Sequence, residues 1–180
     1  MVKQPDPDTN NEPGDLHKLA EMIADVRVAM LTTFPAGQTS PGQSPAHARP
    51  MYTQKVEPDS FDGSLWFMTD AESGKVDELA ENSNVLVTYS ALNKNRYVVV
   101  YGTARAERNP DKARELWNVH AKGWYPDGPT DRSLMLIEVR VDSAEYWDGP
   151  SNTSYLLKLA KAVATGDRIK SHGTHGVIES

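Results

Sequence analysis

The chain has 180 residues, 38% of them hydrophobic, which is enough for one well-buried core and short for two. A formal net charge of −6 and a pI near 5.3 disfavour a polyanionic partner, and no stretch clusters Lys and Arg as a nucleic-acid surface does. With no cysteine, disulfides, thiol nucleophiles and thiolate metal sites are excluded.

Residues 1–15 read as a disordered tail, because Met1 to Gly14 carries four Pro or Gly and three Asp or Glu and lacks the apolar core of a signal peptide. No apolar run approaches the ~18 residues needed to span a membrane. We therefore expect a cytoplasmic protein with neither a membrane nor a nucleic acid as partner. One domain is expected over 16–166, then a loosely ordered tail over 167–180.

Leu16 to Val26 spaces Leu16, Leu19, Ala20 and Ile23 as one face of a surface helix. The period then changes, and Val26 to Phe34 predicts a first strand ending at the turn Pro35-Ala36-Gly37. After a loop to Pro45, Ala46 to Val56 can run extended, with Pro50 marking an edge or a bulge because proline donates no ladder hydrogen bond. Ser64 to Thr69 is a short aromatic strand, and Lys75 to Glu81 follows as a helix with Ser73 as its natural N-cap. Val85 to Leu92 and Arg96 to Arg108 suit a hairpin around Asn93-Lys94-Asn95. Asn109 caps a helix with Pro110 in its first position, predicted to run to about Lys122. The loop from Tyr125 to Pro129 leads to a strand over Leu134 to Val141 and, past Asp142-Ser143, a short strand through Trp147. Ser154 to Thr165 predicts a last helix, stopped by Gly166. The strand-to-strand connections are too short for a wound parallel sheet. The expected fold class is mainly β with peripheral helices (α+β), an antiparallel barrel of six to seven strands.

Three segments can carry chemistry. Leu65 to Lys75 runs from a strand through a short loop into a helix N-terminus, where free N–H groups, the Ser73 hydroxyl and the Lys75 charge outline an anion site. A capped helix with a solvated lysine would read the same. In Ala46 to Met51 the extended chain puts His47, Arg49 and Met51 on one face, so Arg49 could meet a phosphate while Met51 meets an apolar ring; an exposed arginine on an edge strand is the alternative. Trp147, at a strand end, could stack on a planar ligand or belong to the core. His172 and His175 lie in the Gly-rich tail without an acidic partner at fixed distance, so no metal site is expected. The loop carboxylates Asp127 and Asp131 are read as solvated.

Taken in order, Arg49-Pro50-Met51, Trp66-Phe67-Met68-Thr69, Ser73-Gly74-Lys75, Gly102-Thr103-Ala104, Trp124-Tyr125-Pro126-Asp127-Gly128 and Glu145-Tyr146-Trp147-Asp148 resemble the pyridoxamine 5′-phosphate oxidase-like flavoproteins, in their general stress protein 26 branch. The resemblance covers nearly all of residues 16–176 and implies a split β-barrel working as a homodimer, with FMN in two equivalent clefts at the subunit interface. It implies that Arg49 and Lys75 meet the FMN phosphate, that Thr69 and Ser73 add hydroxyl contacts, and that Pro50, Met51 and Met68 border the flavin. By the same comparison Tyr97 stands where the oxidase has a glutamine from the neighbouring subunit, and Trp147 matches a tryptophan near the flavin. The cations that grip the phosphorylated vitamin in the oxidase have no counterpart in Pro150-Ser151-Asn152-Thr153-Ser154-Tyr155. A phosphate buried without its cation is costly, so that substrate is disfavoured. The function so implied is an FMN-dependent oxidoreductase (FAD possible) with a small-molecule electron donor or acceptor and no assigned catalytic side chain. The alternative is a flavin-binding sensor or buffer without turnover.

Overall fold

The fold grows from a helix that caps one sheet. A computed structural model describes residues 15–36, 46–150, 161 and 173–179. Helix α1 (Asp15–Ile23) buries Leu19, Ala20, Met22 and Ile23, the face that the spacing predicts. Among the described residues seven strands follow: β1 (Val28–Thr33), β2 (His47–Tyr52), β3 (Ser64–Asp70), β4 (Asn84–Ala91), β5 (Arg96–Glu107), β6 (Leu134–Asp148) and β7 (Thr174–Glu179). All pair antiparallel in the order β2-β1-β4-β5-β6-β3, with β7 added alongside β6. The sheet curls until its two ends meet at a Thr53–Phe67 bridge and a Gln54 N–H bond to the Trp66 carbonyl (2.8 Å), which closes a split barrel.

Alternation along the strands fills the interior. Leu31, Phe67, Val87, Tyr89, Val98, Val100, Ile137 and Val139 point inward and form the main core with α1. A smaller core, Ala113, Tyr125, Leu134 and Leu136 with Trp66 and Met68, lies on the far face of β3 and β6. Pro50 sits on an edge strand as expected, since β2 pairs only with β1. Asn95 adopts φ 51° in the β4–β5 connection, a left-handed position that asparagine tolerates.

Three expectations are corrected. The helix expected from Pro110 to about Lys122 is two helices, α3 (Pro110–Glu115) and α4 (Val119–Trp124), because the Asn118 side chain accepts hydrogen bonds from the N–H groups of His120 and Ala121 and starts a new helix. The break expected at Asp142-Ser143 is a shift of register within one continuous strand, opposite Tyr101 and Gly102. Residues 174–179, expected to be loosely ordered, pair with Ser143 to Asp148 and bury Ile178. Helix α2 (Gly74–Glu81) forms as expected. The expected helix from Ser154 to Thr165 lies, apart from Lys161, outside the described residues, as do the tail 1–14, the loop 37–45 and His172.

Candidate functional site

Where β2 and β3 meet α2 and α4, a cleft of about 380 Å³ opens. At one end the Lys75 ammonium donates to the hydroxyls of Thr69 (2.8 Å) and Ser73 (2.6 Å). Ser73 holds the N-cap position with extended backbone, but its hydroxyl accepts from Lys75 instead of capping. The first N–H groups of α2 are thus left without a side-chain cap, and a Cβ on Gly74 would meet open space. Partial burial lowers the Lys75 pKa and the nearby Arg49 lowers it further, against Asp70 and Glu78. A desolvated ammonium beside two hydroxyls and uncapped amides is arranged to take an anion.

Arg49 is held beside this corner. Strand alternation turns His47, Arg49 and Met51 to the inner side of β2, where Arg49 donates to Thr33 Oγ1 and Glu78 Oε2, both at 2.6 Å, and His47 Nδ1 lies 2.7 Å from Glu78 Oε1. The Thr33 hydroxyl also donates to Glu78. Burial pushes the Glu78 carboxyl up, yet the Thr33 and His47 hydrogen bonds and the Arg49 charge outweigh it and hold it below its ordinary value. Glu78 therefore neutralises the guanidinium expected at the phosphate.

Of the expected residues, Pro50, Met51, Met68, Thr69 and Lys75 line the cleft. Tyr97 and Trp147 do not: they face each other across β5 and β6, 38% and 42% exposed. Trp147 stands twelve residues along β6 from Met135, the partner of Thr69, roughly 40 Å along the strand. Trp147 stacks on His175 with centroids 4.9 Å apart.

The other end of the cleft went unread in the sequence. There α4 supplies Asn118, His120 and Trp124, facing Tyr52 and Gln54. The His120 and Tyr52 rings lie 4.6 Å apart, and Asn118 Nδ2 donates to Gln54 Oε1 at 2.6 Å. Gln54 and Asn118 are 64 positions apart, so no local pattern joins them; the only signal was asparagine's taste for helix starts. Asp131, read as a solvated loop carboxylate, is 9% exposed and organises its turn through bonds from the Ser133 N–H and hydroxyl. Those bonds hold its carboxyl below its ordinary value, which removes it as a general acid at neutral pH.

Among the described residues no helix is long and apolar enough to cross a membrane. The family model described as "Pyridoxamine 5′-phosphate oxidase like" matches residues 14–170. Protein bli-3 of Neurospora crassa is 27% identical over 179 residues, covering 88% of this chain and 85% of that protein. The general stress FMN/FAD binding protein of Xanthomonas citri superposes with a TM-score of 0.61 at 25% identity, over 76% of this chain and 90% of that one. A Jannaschia sp. CCS1 structure described as a general stress protein 26 gives 0.69 at 21% identity, over 91% and 96%, a likeness of fold alone. The match spans strands β1 to β6, the anion corner and the α4 wall of the cleft together, and the chain belongs to the pyridoxamine 5′-phosphate oxidase like family.

Proposed function

We propose that this protein binds a flavin, FMN with FAD as the alternative, and works as a flavin-dependent oxidoreductase in a homodimer. The observation that carries the reading is the anion corner, where the Lys75 ammonium, the Thr69 and Ser73 hydroxyls and the uncapped start of α2 converge on a cleft bordered by Met51 and Met68. The corner suits a phosphate and the methionines an apolar ring face. A flavin held there would supply hydride and electron transfer, and the chain would supply orientation and access.

The homodimer is supported by the outer face of the sheet. Val28, Met30, Tyr97, Tyr101 and Trp147 are exposed on it. The rows Pro50–Met30–Thr88–Val99–Glu145 and Ser90–Tyr97–Trp147–His175 run across it in register. Because Pro50 and Tyr52 line the cleft and pair with Met30 and Val28, the cleft rim continues into this apolar face. A second copy seated there would wall the cleft with its own aromatics. Among the described residues lining the cleft, Lys75 is the one lysine or arginine.

The test is purification followed by a visible spectrum and mass spectrometry of the released ligand. A yellow protein releasing FMN or FAD is expected, and one that stays colourless and takes up neither refutes the reading. Repeated anaerobic bleaching by NADH or NADPH with recovery on adding an acceptor identifies an enzyme; a flavin inert to both leaves a binder without turnover.

A further inference from the structure

Gln54 is 5% exposed, lines the cleft, and carries a polar group with no partner among the described residues. The direction of its amide follows from its neighbour. Asn118 Oδ1 accepts from the His120 and Ala121 N–H groups, so its nitrogen must donate, and it does so to Gln54 Oε1 and to the Leu116 carbonyl (3.2 Å). With its oxygen taken by Asn118, Gln54 is left presenting its NH₂ group, for which no acceptor is found among the described residues. A buried donor left unmade costs free energy, and native structures seldom keep one without a protein, water or ligand acceptor.

The surroundings define the missing acceptor. Tyr52, His120 and Trp124 place three rings at this end of the cleft, and Trp124 is 82% exposed there. Tyr125 also lines the cleft; burial and the charges of Asp70 and Asp131 push its hydroxyl up to about 12, so it stays neutral. Among the described residues the charged groups lining the cleft are Lys75 and Asp70, both at the anion corner. Resting on the flavin reading above, we propose that the Gln54–α4 end of the cleft is a substrate subsite for a neutral, planar carbonyl compound, stacked by the aromatic side chains and hydrogen-bonded through its oxygen to the Gln54 amide. Asn118 is the positioning residue that turns this amide outward.

The probe is menadione, a neutral naphthoquinone, titrated calorimetrically into flavin-loaded and flavin-free protein, with pyridoxal 5′-phosphate as the planar but anionic comparison. Saturable menadione binding is expected, with pyridoxal 5′-phosphate weaker. Gln54→Leu should weaken menadione five- to tenfold, on the scale of one lost buried hydrogen bond, and leave FMN affinity unchanged. Asn118→Asp keeps the helix cap but accepts where Asn118 donates, so the Gln54 amide turns its NH₂ toward residue 118 and menadione should weaken as much as with Gln54→Leu. Menadione binding indifferent to both substitutions, tighter binding of pyridoxal 5′-phosphate, or FMN affinity falling in step with menadione would overturn the assignment. A protein that takes no flavin yet binds menadione through Gln54 refutes the flavin reading and supports the subsite.

Discussion

At the scale of single residues the decisive contest is between Glu78 and a ligand phosphate for Arg49. Glu78 already accepts from Arg49, Thr33 and His47, so the guanidinium arrives at the anion corner neutralised. Among the described residues Lys75 hydrogen-bonds to neutral hydroxyls and to no carboxylate, so it should dominate phosphate affinity. Lys75→Ala is expected to weaken FMN by roughly 1.5–3 kcal/mol, the scale of a lost charged hydrogen bond. Arg49→Ala should cost less affinity, and Glu78→Gln should tighten FMN by freeing the guanidinium; fluorescence titration reads all three. The pH dependence of stability has the same sign at the two residues, rising with pH, because the fold lowers both pKa values, but it falls in different pH ranges. Glu78 is depressed when folded, so its stabilisation is present above the ordinary value of 4.5 and is lost as pH falls through the lower folded value, a loss that Glu78→Gln should not show in acid melts. Lys75 is also lowered, from 10.5, so without ligand its charge costs stability below the folded value, a cost that fades as pH rises from there to 10.5, and FMN affinity should fall as pH rises through the folded value.

Among the elements, those written in local periodicity could be read and those made by distant partners could not. The α1 face, the β4–β5 hairpin and α2 follow from apolar spacing and turn residues, and each forms as expected. By contrast β7 is a polar, Gly-rich segment whose pairing depends on contacts far away in sequence. Gly176 lies where a Cβ would come 2.5 Å from the Tyr146 hydroxyl, so only glycine lets β7 approach β6 this closely. The continuity of β6 depends likewise on Gly102, where a Cβ would sit 2.3 Å from the Arg140 carbonyl oxygen, on backbone that cannot swing away. Gly102→Ala is therefore expected to destabilise the barrel by about 1–3 kcal/mol in urea unfolding, through overpacking at the register shift, while the hairpin turn stays intact. Gly74→Ala, which meets open space, is the matched substitution and should cost far less.

For the whole molecule, the candidate site divides between what one chain completes and what it leaves open. The sequence placed Pro50, Met51, Met68, Thr69 and Lys75 in one cleft, and the fold brings them together. It could not place Gln54, Asn118 or Glu78, whose roles exist only through contacts 29 to 64 positions apart. Tyr97 was legible only through the family resemblance and Trp147 stayed open between a stacking and a core role, because aromatics alternating along a strand look alike whether they meet a core, solvent or another chain. Their exposed row runs parallel to that of Met30, which joins the cleft rim at Pro50. Under the dimer reading, a charge at Met30 acts on assembly and on flavin binding together, since the same face supplies both. Met30→Arg puts an unpaired cation into an apolar interface, yet in the monomer it points to water and leaves the core untouched. Light scattering is expected to show wild-type dimers and Met30→Arg monomers with an unchanged melting core. The monomers should bind FMN at least tenfold more weakly although Lys75, Thr69 and Ser73 are intact. Monomers that bind FMN as tightly as wild type would confine the flavin to one chain and detach Tyr97 and Trp147 from it.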